Sequence, residues 1–190
     1  MRLSALIKAC RREMLVLSAS LLNTENQGDA TMFDPILLRA ADAEIVSDAP
    51  GSDITLLADS DTTDGGFTAN RATLKDGVFG TPAHFHTRAT EFFFVLEGKL
   101  QVLVDETLHT LEKGDFLAVP PQVPHAFGPE AGSDADVLVT FTPGMARFDY
   151  YRLLDRVARG EADPSEIAAS SKQYDNHYVD SPIWRAARGQ

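Results

Sequence analysis

The sequence predicts an all-β fold, an antiparallel sandwich or barrel, followed by C-terminal α-helices. Two observations carry that expectation. From residue 54 to residue 144, short apolar runs are separated by clusters of Gly, Asp, Ser and Pro with no helical period between them, which is how strands joined by turns read. Beyond residue 146 the apolar spacing changes to that of an amphipathic helix. At 190 residues the chain is long enough for one domain with a sizeable core and too short for two large ones.

The elements follow in order. ITLLADS and GGFTANRATLKDG open the strand series, and AHFH, EFFFVLEG, KLQVLVDETLHTLEKGD and FLAVP continue it. In KLQVLVD, Leu100, Val102 and Val104 alternate with Lys99 and Gln101, the pattern of a half-buried strand. Asp105-Glu106 then reads as a hairpin tip. After PPQVPHAFG comes a polar loop, PEAGSDAD, and one more strong strand, VLVTFTPG. In RFDYYRLLDRVARG, Phe148, Tyr151, Leu154 and Val157 recur at threes and Gly160 ends the helix. DPSEIAAS predicts a second, short helix, with Asp163 as N-cap, Pro164 at the first position and Glu166 completing a capping box. The ending QYDNHYVDSPIW has no clear period, but it carries the single tryptophan, Trp184, expected to pack back onto the barrel. The expected organisation is an N-terminal extension over residues 1–31, a barrel over 32–145 and a helical tail over 146–190.

Charge and cysteine usage exclude several classes. A net charge of -11 argues against a phosphate-tracking surface, because nucleic-acid affinity rests on Lys and Arg neutralising phosphates; neither nucleic acid nor an anionic membrane is an expected partner. The lone cysteine, Cys10, cannot form an internal disulfide, so a reducing compartment, the cytoplasm, is the simplest setting. In the first 31 residues, Lys8, Arg11, Arg12 and Glu13 interrupt the apolar residues, and the remaining run MLVLSASLL is too short to span a bilayer. Its place after a basic cluster resembles a weak secretory core with Ala19 and Ala30 as small residues downstream. That segment is set aside from the fold.

Chemistry concentrates in AHFHTRATEFFFVLEG, residues 83–98. Two of five histidines, His84 and His86, fall within three residues, and residues two apart on a strand project to one face. That is the spacing of a chelating pair, although a lone H-x-H also fits an ordinary polar strand face. Glu91 follows after TRAT, enough chain to turn back toward the same space. GDFLAVPPQVPHAFG then brings His125 after a Gly114 turn, a short strand and a proline-stiffened corner. His109 and His177 lack such context and read as surface or packing residues.

These two segments resemble the motifs of the cupin family. The first motif, G-x5-H-x-H-x3,4-E-x6-G, is matched in register by His84, His86, Glu91 and Gly98; Val78 holds the place of its leading glycine, with Gly77 and Gly80 on either side. The second, G-x5-P-x-G-x2-H-x3-N, is matched by Gly114, Pro120 and His125, while Gln122 and Pro129 stand where the family has glycine and asparagine. The resemblance covers residues 53–143 and implies a double-stranded β-helix, the jelly-roll barrel. It further implies that His84, His86, Glu91 and His125 hold one divalent transition metal. Three neutral imidazoles and a carboxylate suit Fe, Mn, Ni, Co, Cu or Zn and leave coordination positions open for substrate.

A single such domain with helices and an aromatic-rich tail is similar to quercetin 2,3-dioxygenase-like proteins. That resemblance implies a small hydrophobic or aromatic enol or flavonol substrate whose deprotonated hydroxyl meets the metal, with dioxygen as co-substrate and ring opening as the outcome. Glu91 is then both ligand and candidate general base. Phe79, Phe116, Phe127 and Phe141 are candidates to line the substrate cavity. The alternatives are a redox-neutral isomerase or decarboxylase and a non-catalytic ligand-binding protein. An acid substrate would require a fixed cation, for which Arg71 and Arg88 are nearest in sequence. Phe92, Phe93 and Phe94 make both faces of one strand apolar, so a second sheet layer, the C-terminal helix or a partner subunit must cover the second face; the resemblance to cupins, which often dimerise, implies a homodimer.

Overall fold

The computed structural model describes residues 33–190; the expected extension at 1–31, with Cys10, lies outside the described residues. Ten strands form the barrel: β1 (Ile45–Ala49), β2 (Ser52–Ala58), β3 (Thr68–Leu74), β4 (His84–Phe85), β5 (Thr90–Val104), β6 (Thr107–Glu112), β7 (Phe116–Val119), β8 (His125–Pro129), β9 (Ala135–Thr142) and β10 (His177–Tyr178). Three helices accompany them: α1 (Phe148–Ala158), α2 (Ser165–Ala169) and α3 (Pro182–Ala187). The strand order is β1-β2-β3-β9-β5-β8-β4-β10, with β6 and β7 also paired to β5, and every pairing is antiparallel. This is an all-β jelly roll with C-terminal helices.

One long strand makes the curl. The first half of β5 pairs with β9 and β7, and its second half with β8 and β6. The register slips between Val95 and Glu97, a bulge that bends the strand from one layer into the other. Gly98 sits at that bend with φ +74°, and a Cβ there would lie 2.0 Å from the Asp134 carbonyl oxygen. Glycine is required there, both for the left-handed backbone and for the close approach. EFFFVLEG and KLQVLVD are therefore one bent strand rather than two.

Alternation sorts the side chains. Glu91, Phe93 and Val95 point inward and are buried, whereas Phe94 is 40% exposed. The main core packs Phe93, Val95, Leu100, Val102, Val137, Val139 and Phe141 between the layers. Helix α1 closes a second cluster, laying Tyr150 and Tyr151 against Val46, Ile54 and Leu56. Its N-terminus is capped from the barrel: the Asp59 carboxylate accepts the Arg147 N–H at 3.0 Å and the Phe148 N–H at 3.1 Å, satisfying two donors that a helix end leaves open. At α2 the Asp163 N–H donates to the Glu166 carboxylate at 3.0 Å, the return bond of a capping box, while Asp163 Oδ1 accepts from Ser165 N–H at 2.8 Å.

The tail differs most from the sequence expectation. His177 and Tyr178, aperiodic in sequence, form β10 against Phe85 and His84. SPIW begins a third helix, where the Ser181 hydroxyl caps Trp184 N–H at 3.2 Å and Pro182 takes the first helical position. Trp184 is buried against Ala83, Leu103 and Ala126 and donates from Nε1 to the Thr81 carbonyl at 2.9 Å. None of the helices among the described residues is long and apolar enough to cross a membrane.

Candidate metal centre

Three strands and the loop after β4 aim four side chains at the same interior point. His84 lies on β4 directly opposite His125 on β8, His86 follows β4, and Glu91 begins β5 opposite Phe141. All four side chains are buried, and their ligating atoms lie within 4.8 Å of one another. His86 Nε2 is 3.0 Å and His125 Nε2 2.7 Å from the same carboxylate oxygen, Glu91 Oε2.

Each imidazole is oriented by its other nitrogen. Nδ1 of His84 faces the Pro82 carbonyl at 2.8 Å, Nδ1 of His86 the Asp175 carbonyl at 2.6 Å, and Nδ1 of His125 the Val123 carbonyl at 2.9 Å. A carbonyl can only accept, so all three rings carry Nδ1–H and turn Nε2 inward. That outer contact fixes ring and tautomer at metal-ligating histidines. Three inward nitrogens around one carboxylate need a cation among them, either protons or a metal. His84 is held well below the usual histidine range by burial and then by the neighbouring imidazoles. Burial alone would raise Glu91, but His125 and His86 outweigh it and hold the carboxyl well below its usual range. For His125, burial pushes downward and Glu91 outweighs it, leaving the ring raised. The donor set fits a divalent transition metal, and these four residues could hold one.

The loops are built for this placement. Gln122, where the resembling motif has glycine, adopts φ +70°. Its N–H donates to the His86 carbonyl at 2.7 Å and its side-chain amide to Thr87 O at 3.3 Å. The left-handed turn survives the replacement. Asp175 supports the His86 loop twice, through its carbonyl on Nδ1 and through its carboxylate, which accepts from Thr87 N–H, the Thr87 hydroxyl and Arg88 N–H.

A cavity of about 430 Å³ opens over the centre, lined by His84, Glu91 and Phe127 from the barrel and by Arg147, Tyr150 and Tyr151 around α1. Its size suits a small organic ligand. The four phenylalanine candidates are placed differently. Phe127 lines the cavity. Phe141 is fully buried, edge-on to the His86 ring at 5.4 Å. Phe79, in the loop before β4, packs against Trp184 at 6.4 Å, and Phe116 is 62% exposed, stacked on Phe92 on the outer face, where strand alternation turns it away from the cavity. Arg71 pairs with Asp136 on the outside, and the side chain of Arg88 is 71% exposed. His109 is exposed, and His177 stacks on Phe85 at 5.1 Å while bonding the Asp175 carboxylate at 3.1 Å.

Sequence reasoning missed the groups that the tail brings in: Arg147, Asn176, Tyr150 and Tyr178. Nothing in their spacing relates them to the histidines. Only the aromatic pair in FDYYRLL signalled an inward helix face.

Residues 70–141 match the family model of the cupin domain, a span that contains all four candidate ligands. No curated protein matches the chain. Among solved structures, KdgF from Halomonas sp. superposes with a TM-score of 0.50 at 20% identity, covering 57% of this chain and 94% of that one. FeII HppE gives 0.51 at 19%, covering 57% and 62%. An RmlC-like cupin from Shewanella frigidimarina NCIMB 400 gives 0.48 at 23%, covering 62% and 96%. At these identities the likeness to the first two is one of fold.

Proposed function

We propose that the chain is a metal-dependent enzyme acting on a small molecule bound in this cavity, and that its chemistry is that of a dioxygenase on an enol- or flavonol-type substrate. The observation that supports this most is the convergence of three tautomer-fixed Nε2 atoms and one carboxylate beneath a cavity walled largely by Ile54, Leu74, Phe127, Val139 and Leu154. A divalent metal held there would supply Lewis acidity and, when redox-active, a path for electrons to dioxygen. His84, His86 and His125 hold the site. Both imidazole contacts of Glu91 fall on Oε2, so Oε1 is the atom positioned to accept a substrate hydroxyl proton. The apolar walls exclude water from the reacting centre.

A redox-neutral isomerase or decarboxylase is the second reading, and Arg147 favours it: a buried cation lines the cavity, as an acidic substrate requires. The proposal also includes a homodimer, supported by the outward rings of Phe92, Phe94 and Phe116.

Oxygen uptake tests the first reading. Protein reconstituted separately with Fe, Mn, Co, Ni and Cu, offered flavonols and diketones, is expected to consume oxygen with substrate, and His86→Ala to abolish uptake. Stoichiometric metal binding without uptake on any metal would overturn the oxygenase and leave the redox-neutral reading.

A further inference from the structure

A buried cation lines the cavity. Arg147 is 4% exposed, and its guanidinium lies among three rings, 4.6 Å from the Tyr150 centroid, 5.0 Å from Phe141 and 5.3 Å from Tyr151. Burying a cation is costly unless it is paired and hydrogen-bonded. Among the described residues Arg147 has no carboxylate partner. Its side-chain bonds within 3.5 Å are Nη1 to the Tyr174 carbonyl at 3.3 Å, and Nη1 and Nη2 to Asn176 Oδ1, both at 3.4 Å; the Tyr151 hydroxyl, which donates to Asn70 Oδ1, also lies near enough to support its charge. All three are longer than an ordinary N–H···O bond, and Nε has no partner.

The missing bonds share one edge. A guanidinium offers five N–H groups; Nη1 spends both of its own and Nη2 one, which leaves Nε–H and the second Nη2–H, the parallel pair that grips a carboxylate with two bonds. This chain uses that same edge elsewhere. Arg71 meets Asp136 through Nε at 2.7 Å and through Nη2, and Arg152 meets Glu44 through Nε at 3.0 Å and Nη2 at 2.7 Å. Arg147 alone of these three lines the cavity. It is linked to the centre through the Phe141 ring, whose centroid lies 5.0 Å from the guanidinium and 5.4 Å from the His86 ring.

We propose that Arg147 is the substrate's carboxylate anchor, so that the cavity takes a small organic acid whose anionic end lies on the Nε–Nη2 edge while another of its oxygens faces His84, His86, Glu91 and His125. This rests on the proposed ligand-binding role of the cavity, and it takes the acid substrate of the second reading rather than the flavonol of the first. Nε is closed to solvent, so the guanidinium slides within its aromatic slot to receive the acid, giving up the long contacts to Asn176. Asp48 is the other acid of the lining besides Glu91, and burial pushes its carboxyl up.

The test compares acids with their neutral amides: benzoate, salicylate, pyruvate and 2-oxoglutarate against the matching amides, by titration calorimetry on the full chain. Wild type is expected to prefer at least one acid over its amide by about tenfold or more. Arg147→Gln should remove that preference, Arg147→Lys should restore only part of it, and Arg71→Gln, on the outer surface, should leave it intact. If Arg147→Gln fails to fold, the wild-type preference decides. Equal binding of every acid and amide overturns the proposal, as does an equal fall for both in a folded Arg147→Gln. Repeating the titration on chelator-treated protein separates the two readings. An acid preference that persists without metal supports the anchor even where the metal reading fails, and stoichiometric metal binding with no acid preference refutes the anchor alone.

Discussion

At the scale of single residues, the centre depends on one repeated contact: each histidine gives its Nδ1–H to a backbone carbonyl two residues away or across the fold. Side chains could be substituted away, but carbonyls of Pro82, Val123 and Asp175 cannot, so the ring orientation is written into the backbone path. His84, His86, Glu91 and His125 were legible in sequence because strand alternation and spacing are local properties. Asp48 was not legible, because its burial comes from a helix more than a hundred residues away. Burial raises its acid, so the folded chain binds that proton more tightly than the unfolded chain. Stability therefore falls as pH rises from the unfolded value through the folded one. Asp48→Asn is expected to raise the Tm at pH 7, with the difference closing by about pH 3. Thermal melts across that range check it, and a lower Tm at pH 7 would show that the carboxylate stabilises the fold.

At the scale of elements, the turn at 120–124 and the tail strand β10 both serve the His86 loop. Gln122 needs a positive φ and a donated N–H. Gln122→Gly keeps both and is expected to fold with metal binding intact, within about 1 kcal/mol of wild type. Gln122→Pro can keep neither and should destabilise the chain by about 3 kcal/mol or more; equal denaturation midpoints for the two variants would refute this account of the turn. Asp175 ties the tail to the same loop. Asp175→Ala removes the carboxylate that holds Thr87 and Arg88, and metal affinity should drop by about tenfold, the low end for an outer contact, measured by competition with a chromophoric chelator. Strands from β2 onward in the barrel and α1 were readable from alternation and period, whereas β1 (Ile45–Ala49), upstream of the first expected strand, was not. The tail was not, because β10 is two residues long and Trp184 acts through tertiary burial rather than through a local pattern.

At the scale of the whole molecule, two surfaces remain to be reconciled with the sequence: the closed interior site and the outward aromatic face. A ligand that binds only the folded form stabilises it by mass action, by about 2.7 kcal/mol at a free concentration one hundred times Kd. The fitting metal should thus raise the Tm of wild type and leave that of His86→Ala unmoved, with a chelator reversing the rise; an equal rise in both would place the metal elsewhere. The outer face obeys different physics. Among the described residues strand β7 pairs only with β5, so it is an edge, and it carries Phe116 at 62% exposure beside Phe94 at 40%. An edge strand with exposed rings invites pairing unless it is covered. Phe116→Glu places a charge on that edge without touching the interior. Sedimentation velocity on wild type is expected to show a dimer, and Phe116→Glu a monomer that binds metal with unchanged stoichiometry. A wild-type monomer, or a dimer untouched by Phe116→Glu, would remove this face from the assembly and leave its rings as an ordinary exposed cluster.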